Sequence, residues 1–343
     1  PVLVSEARDF RDPKVFWYEA TKRWIMVLAV GQEMQIFSSP NLKDWAFESS
    51  FGKGHGAHGN VWECPDLFEL PVEGTNEKKW VLLCSLGDGP FGDSATQYFV
   101  GSFNGKEFVN ESPSKTKWMD WGKDHYATVT WSDAPDNRRI AIAWMSNWQY
   151  ANDVPTSQYR SPNSVPRDLG LFTVDGETYL QSAPSPELLK LRDISKKRSF
   201  KVNGTRTIKD MIAGNEGAYE IELTIENQHA DVIGFRLYND KGEEVDMQYD
   251  MKEKKFSMDR RKSGDVGFNE NFPMLTWTAI ESGKDELKLR LFVDKSSVEA
   301  FGDGGRFVMT NQVFPSEPYT HIDFYSKGGA YKVDSFVIYK LKK

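Results

Sequence analysis

Asp12, Glu63 and Asp124 each open a stretch of similar texture. They begin, respectively, DPKVFWYEATKRWIMVLAV, ECPDLFELPVEGTNEKKWVLLCSL and DHYATVTWSDAPDNRRIAIAWMSN. Each stretch reads as an apolar strand, a polar turn and a second apolar strand. Two shorter strands follow, in MQIFSSPNLKDWAFES, TQYFVGSFNGKEFVNE and, after a long loop, DLGLFTVDGETYLQS. Four antiparallel strands recurring every ~50–60 residues form the pattern of a β-propeller blade. Equivalent starts of innermost strands face one central channel, so the register predicts that acids 51 and 61 residues apart meet in a shared cavity. Carboxyl groups gathered in a pocket rimmed by Trp suit glycoside hydrolysis, which needs a proton donor and a second acid across the scissile bond. Acids at strand starts also cap turns and satisfy turn amides. Three in register favour the shared cavity.

Composition agrees with this class. The 343 residues are 39% apolar and 27% charged, ordinary for a folded chain of two or three domains. No apolar run approaches the ~18 residues of a membrane span. A net charge of −7 and the lack of a basic stripe argue against a nucleic-acid partner. Two cysteines, Cys64 and Cys84, exclude a disulfide framework and a cysteine-rich zinc site. Aromatics reach 13%, and ten of the 11 Trp lie between Trp17 and Trp148, with Trp277 alone beyond them. Flat apolar faces of this kind serve sugar clefts, and they also fill the cores of all-β folds.

The chain as a whole reads as all-β. Residues 1–184 hold the three blades. From about Ser185 the texture changes: SPELLKLR reads as a short helical connector, and GAYEIELTI, DVIGFRLYN, KLRLFVD, SSVEAF and VDSFVIYKL read as strands. Turn signals at that spacing predict a β-sandwich over 185–343. Propellers need about 4–8 blades to close, and Pro1 stands directly before a blade strand, so the expectation is a partial propeller lacking N-terminal blades.

Four motifs carry a resemblance. Arg11-Asp12-Pro13, Trp62-Glu63-Cys64-Pro65-Asp66, Asp120-Trp121-Gly122-Lys123-Asp124 and Trp144-Met145-Ser146-Asn147-Trp148 stand in the order seen in glycoside hydrolase family 32. The chain resembles the β-fructosidases of that family (invertases, levanases and inulinases), and LFVDKSSVEAFGDGG is similar to its C-terminal sandwich. The resemblance implies a five-bladed propeller followed by a sandwich, a fructan or sucrose substrate, no cofactor, and retention of configuration. It implies Glu63 as acid/base, with a pKa raised by burial and neighbouring carboxylates. It implies Asp12 as transition-state stabiliser and Arg11 as a donor to the same ring. Asp120 and Asp124 would hold further hydroxyls, and Trp148 would offer an apolar face. Export, to the medium, the periplasm or the cell surface, is implied in the same way.

The sequence also departs from the family pattern. The nucleophile belongs to a Trp-x-Asn-Asp-Pro-Asn-Gly-like motif, and Asn-Asp occurs only at Asn152-Asp153 and Asn239-Asp240, neither followed by Pro. His125 stands where Phe is usual and Tyr159 where Trp is common. A catalytically inactive fructan-binding or interaction protein is therefore the competing expectation. His55 and His58 lie in GKGHGAHGN before Glu63; a loop moving over the pocket is expected there rather than a metal site, for want of a third ligand. Cys64 and Cys84 are expected to face each other as thiols. Asn110 and Asn203 open N-glycosylation sequons, and Lys196–Arg198 and Lys340–Lys343 read as solvated surface.

Overall fold

The computed structural model describes residues 1–211, 214, 216–280 and 286–342; Lys343 lies outside them. Among these residues the strands form five sheets. The first is a meander of β1 (Phe10–Tyr18), β2 (Arg23–Val30), β3 (Glu33–Ser39) and β4 (Ala46–Phe51). The second runs β5 (Trp62–Pro71), β6 (Lys78–Gly87), β7 (Ser94–Phe103) and β8 (Phe108–Asn110), with β9 (Lys117–Trp118) also paired to β7. The third is β10 (Tyr126–Thr130), β11 (Ile140–Trp144), β12 (Arg167–Val174) and β13 (Glu177–Pro184). Strand chemistry and turn chemistry agree. Val174 pairs with Glu177 across Asp175 and Gly176, both at positive φ (50° and 79°), as a two-residue hairpin requires.

The blades pack face to face. Ile25, Val27 and Ile36 of the first meet Leu82, Cys84 and Phe99 of the second. Phe68, Val81 and Val100 of the second meet Ala141, Leu169 and Leu171 of the third. On the third blade Val129 and Trp131 remain about half exposed.

A 3-10 turn over Pro186–Leu191 leads out of the third sheet. Two six-stranded antiparallel sheets follow. One is ordered β14 (Arg192–Val202), β25 (Tyr331–Leu341), β16 (Tyr219–Asn227), β21 (Leu287–Asp294), β22 (Ser297–Gly302), β23 (Phe307–Gln312). The other is ordered β15 (Thr205–Ile208), β24 (His321–Lys327), β17 (Val232–Tyr238), β18 (Glu244–Asp250), β19 (Lys255–Lys262), β20 (Leu275–Ala279). Their inner faces enclose one apolar core that includes Ile221, Leu291, Phe235, Met247 and Phe324.

The sandwich docks through β23, an edge strand whose free backbone groups need partners. Residues 120–124 supply them. Trp121 N donates to Val308 O (2.8 Å), Asp124 N to Thr310 O (3.1 Å), and Thr310 N to Asp120 Oδ1 (2.8 Å). The approach is closest at Gly122, where a Cβ would stand 1.9 Å from Thr310 O. Gly122→Ala is therefore expected to cost about 1–3 kcal/mol by overpacking. Calorimetry should show the blades and the sandwich melting as separate transitions, and an unchanged thermogram would refute the close docking.

Candidate active site

The three inner strands share one irregularity, and it sets the site. Register breaks between Arg11 and Lys14 in β1, between Glu63 and Asp66 in β5, and between Tyr126 and Val129 in β10. In each case two residues stand against one on the neighbouring strand, and the first is a non-glycine at positive φ: Asp12 (57°), Cys64 (48°) and Ala127 (52°). Such bulges re-aim side chains and gather beside functional sites. The residues immediately before them, Arg11, Glu63 and Tyr126, are thus the structurally equivalent trio.

These three side chains meet. Arg11 Nη2 lies 3.2 Å from Glu63 Oε1, and 3.4 Å from Asp9 Oδ1. Tyr126 OH donates a short hydrogen bond to Glu63 Oε2. Burial, followed by the bond to Glu63, pushes the Tyr126 hydroxyl well above its ordinary pKa, so it acts as a donor. Asp12 stands beside the trio, its Oδ2 accepting from Cys64 N at 3.0 Å. Glu63 thus has an ionic partner on one oxygen and a neutral donor on the other, while its side chain keeps 24% exposure.

The expected register of Asp12, Glu63 and Asp124 is corrected by the bulges. Asp12 follows its equivalent position by one residue, and Asp124 precedes its own by two. Asp12 still borders Glu63, but Asp124 does not face the cavity. It is fully buried between blade and sandwich, accepting from Tyr150 OH (2.5 Å), Gln312 N (2.8 Å) and the Arg260 guanidinium. Asp120 is likewise removed from the pocket. Its carboxylate accepts from Arg167 Nη1 (2.8 Å), Thr310 Oγ1 (2.7 Å) and Gly122 N (2.7 Å). Burial opposes its ionisation, yet Arg167 holds its carboxyl below the ordinary value. Every oxygen of both acids is held by an arginine, a hydroxyl or a backbone N–H inside the protein.

Trp148 lies beyond Trp144 from Tyr126. Its ring packs 4.8 Å from Trp144, which lies 6.2 Å from Tyr126, and it remains 55% exposed. Tyr126 was not singled out from the sequence. Aligning Arg11-Asp12-Pro13 on Glu63-Cys64-Pro65 by their prolines would have placed Arg11 opposite Glu63, and the third strand then brings Tyr126 to the same level.

The glycine-rich loop is tied down by hydrogen bonds and ring contacts, not held clear of the blade as a lid would be. Ala57 N donates to Gln97 Oε1 (2.9 Å), and Ala57 O accepts from Trp62 Nε1 (3.0 Å). His55 stacks on Phe51 and His58 on Trp62. No cluster of three His, Cys, Asp or Glu placed to hold a metal occurs among the described residues. His125 is buried, and burial pushes its pKa down to about 3, so it is neutral. Tyr159 donates to Ser296 Oγ at 3.0 Å.

Cys64 and Cys84 are free thiols. Burial, then the charges of Asp12 and Glu63, push the Cys64 thiol up to about 12. Below that pH the folded thiol stays protonated and is a poor nucleophile. Iodoacetamide at pH 8 should leave Cys64 unlabelled until the chain is denatured, whereas Asp12→Asn should speed labelling. Rapid labelling of the native chain would contradict the placement of Asp12 and Glu63 around this sulfur.

Residues 1–184 match the glycosyl hydrolases family 32 N-terminal domain, and residues 187–340 match the family 32 C-terminal domain. The chain is 45% identical over 354 aligned residues to a levanase of Bacillus subtilis (strain 168), covering 100% of this chain and 52% of that protein. It is 34% identical to an extracellular exo-inulinase of Aspergillus awamori, covering 98% of this chain and 65% of the relative. The crystal structure of the Aspergillus awamori exo-inulinase superposes with a TM-score of 0.88 at 32% identity, over 98% of this chain and 68% of that one. A Schwanniomyces occidentalis β-fructofuranosidase complexed with fructosyl-erythritol gives 0.86 at 31%, over 100% and 72%. The chain thus spans about half the length of the levanase. With both domain profiles matched in order and the propeller-type sheets leading into a sandwich, the chain belongs to glycoside hydrolase family 32.

Proposed function

We propose that this chain carries the acid/base side of a retaining β-fructoside hydrolase site. The observation that supports this reading most is the convergence of Arg11, Glu63 and Tyr126 at the same bulge of three successive inner strands. In this reading Glu63 protonates the leaving oxygen. Arg11, with Asp12 beside it, holds fructosyl hydroxyls as charge develops on the ring. Tyr126 steadies the Glu63 carboxyl, and Trp148 offers a face to the sugar at the rim. The substrate class is fructan or sucrose, in keeping with relatives named levanase, exo-inulinase and invertase. Action outside the cell accords with relatives named extracellular.

Retention needs a second carboxylate about 5–5.5 Å from the acid/base. The family's nucleophile motif is not found in these 343 residues. Asp12 is a poor substitute because one of its oxygens is bound to Cys64 N beside Glu63. That favours a second reading for the chain by itself, binding of fructosyl units without efficient turnover. Titration with fructose, following the emission of Trp144 and Trp148, tests the common core of both readings. The native chain should respond saturably and Arg11→Ala should not. An Arg11→Ala response equal to the native one would remove the sugar from this site.

A further inference from the structure

A second cavity, of about 250 Å³, lies where the second and third blades meet the sandwich, and none of its lining residues belongs to the Glu63 site. Trp118 of β9 and Trp121 just beyond it border the cavity, with Phe172 and Tyr179 from the β12–β13 hairpin, and Ala279 and Phe307 from the sandwich. Ligand sites favour such domain junctions, with mostly apolar walls and a few polar groups. The volume is just under the ~300–1,000 Å³ of drug-sized sites, which suits one monosaccharide ring.

The charges around the cavity narrow the ligand. Lys115 and Lys117 both pair with Glu177, and Arg306 pairs with Glu73. Lys117 also lies 5.2 Å from the centroid of the Tyr179 ring, and Arg306 lies 4.5 Å from that of Phe172. Each of these cations already has a carboxylate partner, so an anion would have to compete with Glu177 and Glu73 for them. The two indoles remain. Among the described residues only the N–H groups of Trp17, Trp45 and Trp62 donate to protein oxygens; those of Trp118 and Trp121, like those of most Trp in this chain, have no acceptor there. Neither is sealed away from solvent as an unsatisfied buried atom. A flat apolar face with an unused donor at its edge complements a neutral polyol, whose C–H face lies on the ring while a hydroxyl accepts.

We propose that this cavity is a second carbohydrate site, holding one fructosyl unit of an oligofructoside away from Glu63. The identity of the sugar rests on the function proposed above, whereas the site itself rests on the cavity and its indoles. The test is a titration of the ¹⁵N-labelled chain with 1-kestose, following the indole N–H resonances. Those of Trp118 and Trp121 should shift saturably, and equally so in Glu63→Gln. Ala279→Trp places a bulky side chain in the cavity from an exposed position and should weaken that response about tenfold or more. Thr116→Tyr, at another lining position, serves if Ala279→Trp fails to fold. Unmoved Trp118 and Trp121 resonances, or shifts unaltered by the filling substitution, would overturn the proposal. Trp144 and Trp148 report separately on the Glu63 site. Their movement with Trp118 and Trp121 silent would overturn the second site and leave the proposed function standing. The reverse pattern would support the second site and count against sugar binding beside Glu63.

Discussion

Arg260→Ala is expected to destabilise the chain by about 3–5 kcal/mol, the usual cost of removing one partner from a buried ion pair. Arg260 and Asp124 are both fully buried, and the guanidinium also donates to Tyr150 OH (2.8 Å), Phe272 O (2.8 Å) and Gln312 O (3.1 Å). Burial works against the charge on Arg260, but Asp124 and Tyr150 outweigh it and raise its pKa. Truncation strands the Asp124 carboxylate in a dry interface and leaves three acceptors short of a donor. Chemical denaturation should show the loss, and Asp124→Asn in the same chain should recover part of it by removing the stranded charge. The damage should also reach the candidate site, because Asp124 anchors the start of the strand that presents Tyr126 to Glu63. A loss below about 1 kcal/mol would mean that the pair behaves as a solvated one.

The second large effect concerns turnover. By itself the chain is expected to hydrolyse fructosides slower than an ordinary glycosidase by several orders of magnitude, the usual result of removing one member of a catalytic unit. In the proposed reading Glu63 gives a proton to the leaving oxygen, and the family's nucleophile motif, which would trap the oxocarbenium-like carbon, does not occur in these 343 residues. Asp12 is turned toward the Cys64 amide, beside Glu63 rather than across from it. Arg11 and Glu63 also keep 38% and 24% side-chain exposure, so water screens charges that act best in an enclosed site. Measurable binding with little hydrolysis is the expected combination.

Much of this was legible in the sequence. Alternating apolar strands and their turns marked out the three blade-like sheets, because strand periodicity and glycine-bearing turns are local properties. The motifs point to Arg11, Asp12, Glu63 and Trp148, and the structure sets Arg11 and Asp12 beside Glu63. The alignment of the repeats was not legible, because a bulge occupied by Asp12, Cys64 or Ala127 leaves no compositional mark, unlike one occupied by glycine. One misplaced register put Asp124 in the pocket and hid Tyr126. The roles of Asp120 and Asp124 depended on distant partners. Arg167 is 47 residues from Asp120, and Arg260 is 136 residues from Asp124. A carboxylate reads the same in sequence whether it meets a sugar or a buried guanidinium.

Fructose release from sucrose, levan and inulin by the purified chain, beside Glu63→Gln, tests the central claim most directly. The account predicts release far below the ~10 per second typical of enzymes, with any residual release lost in Glu63→Gln. Turnover of ordinary size that Glu63→Gln abolishes would show that another residue of this chain serves as nucleophile. Turnover that Glu63→Gln leaves intact would remove Glu63 from the chemistry altogether.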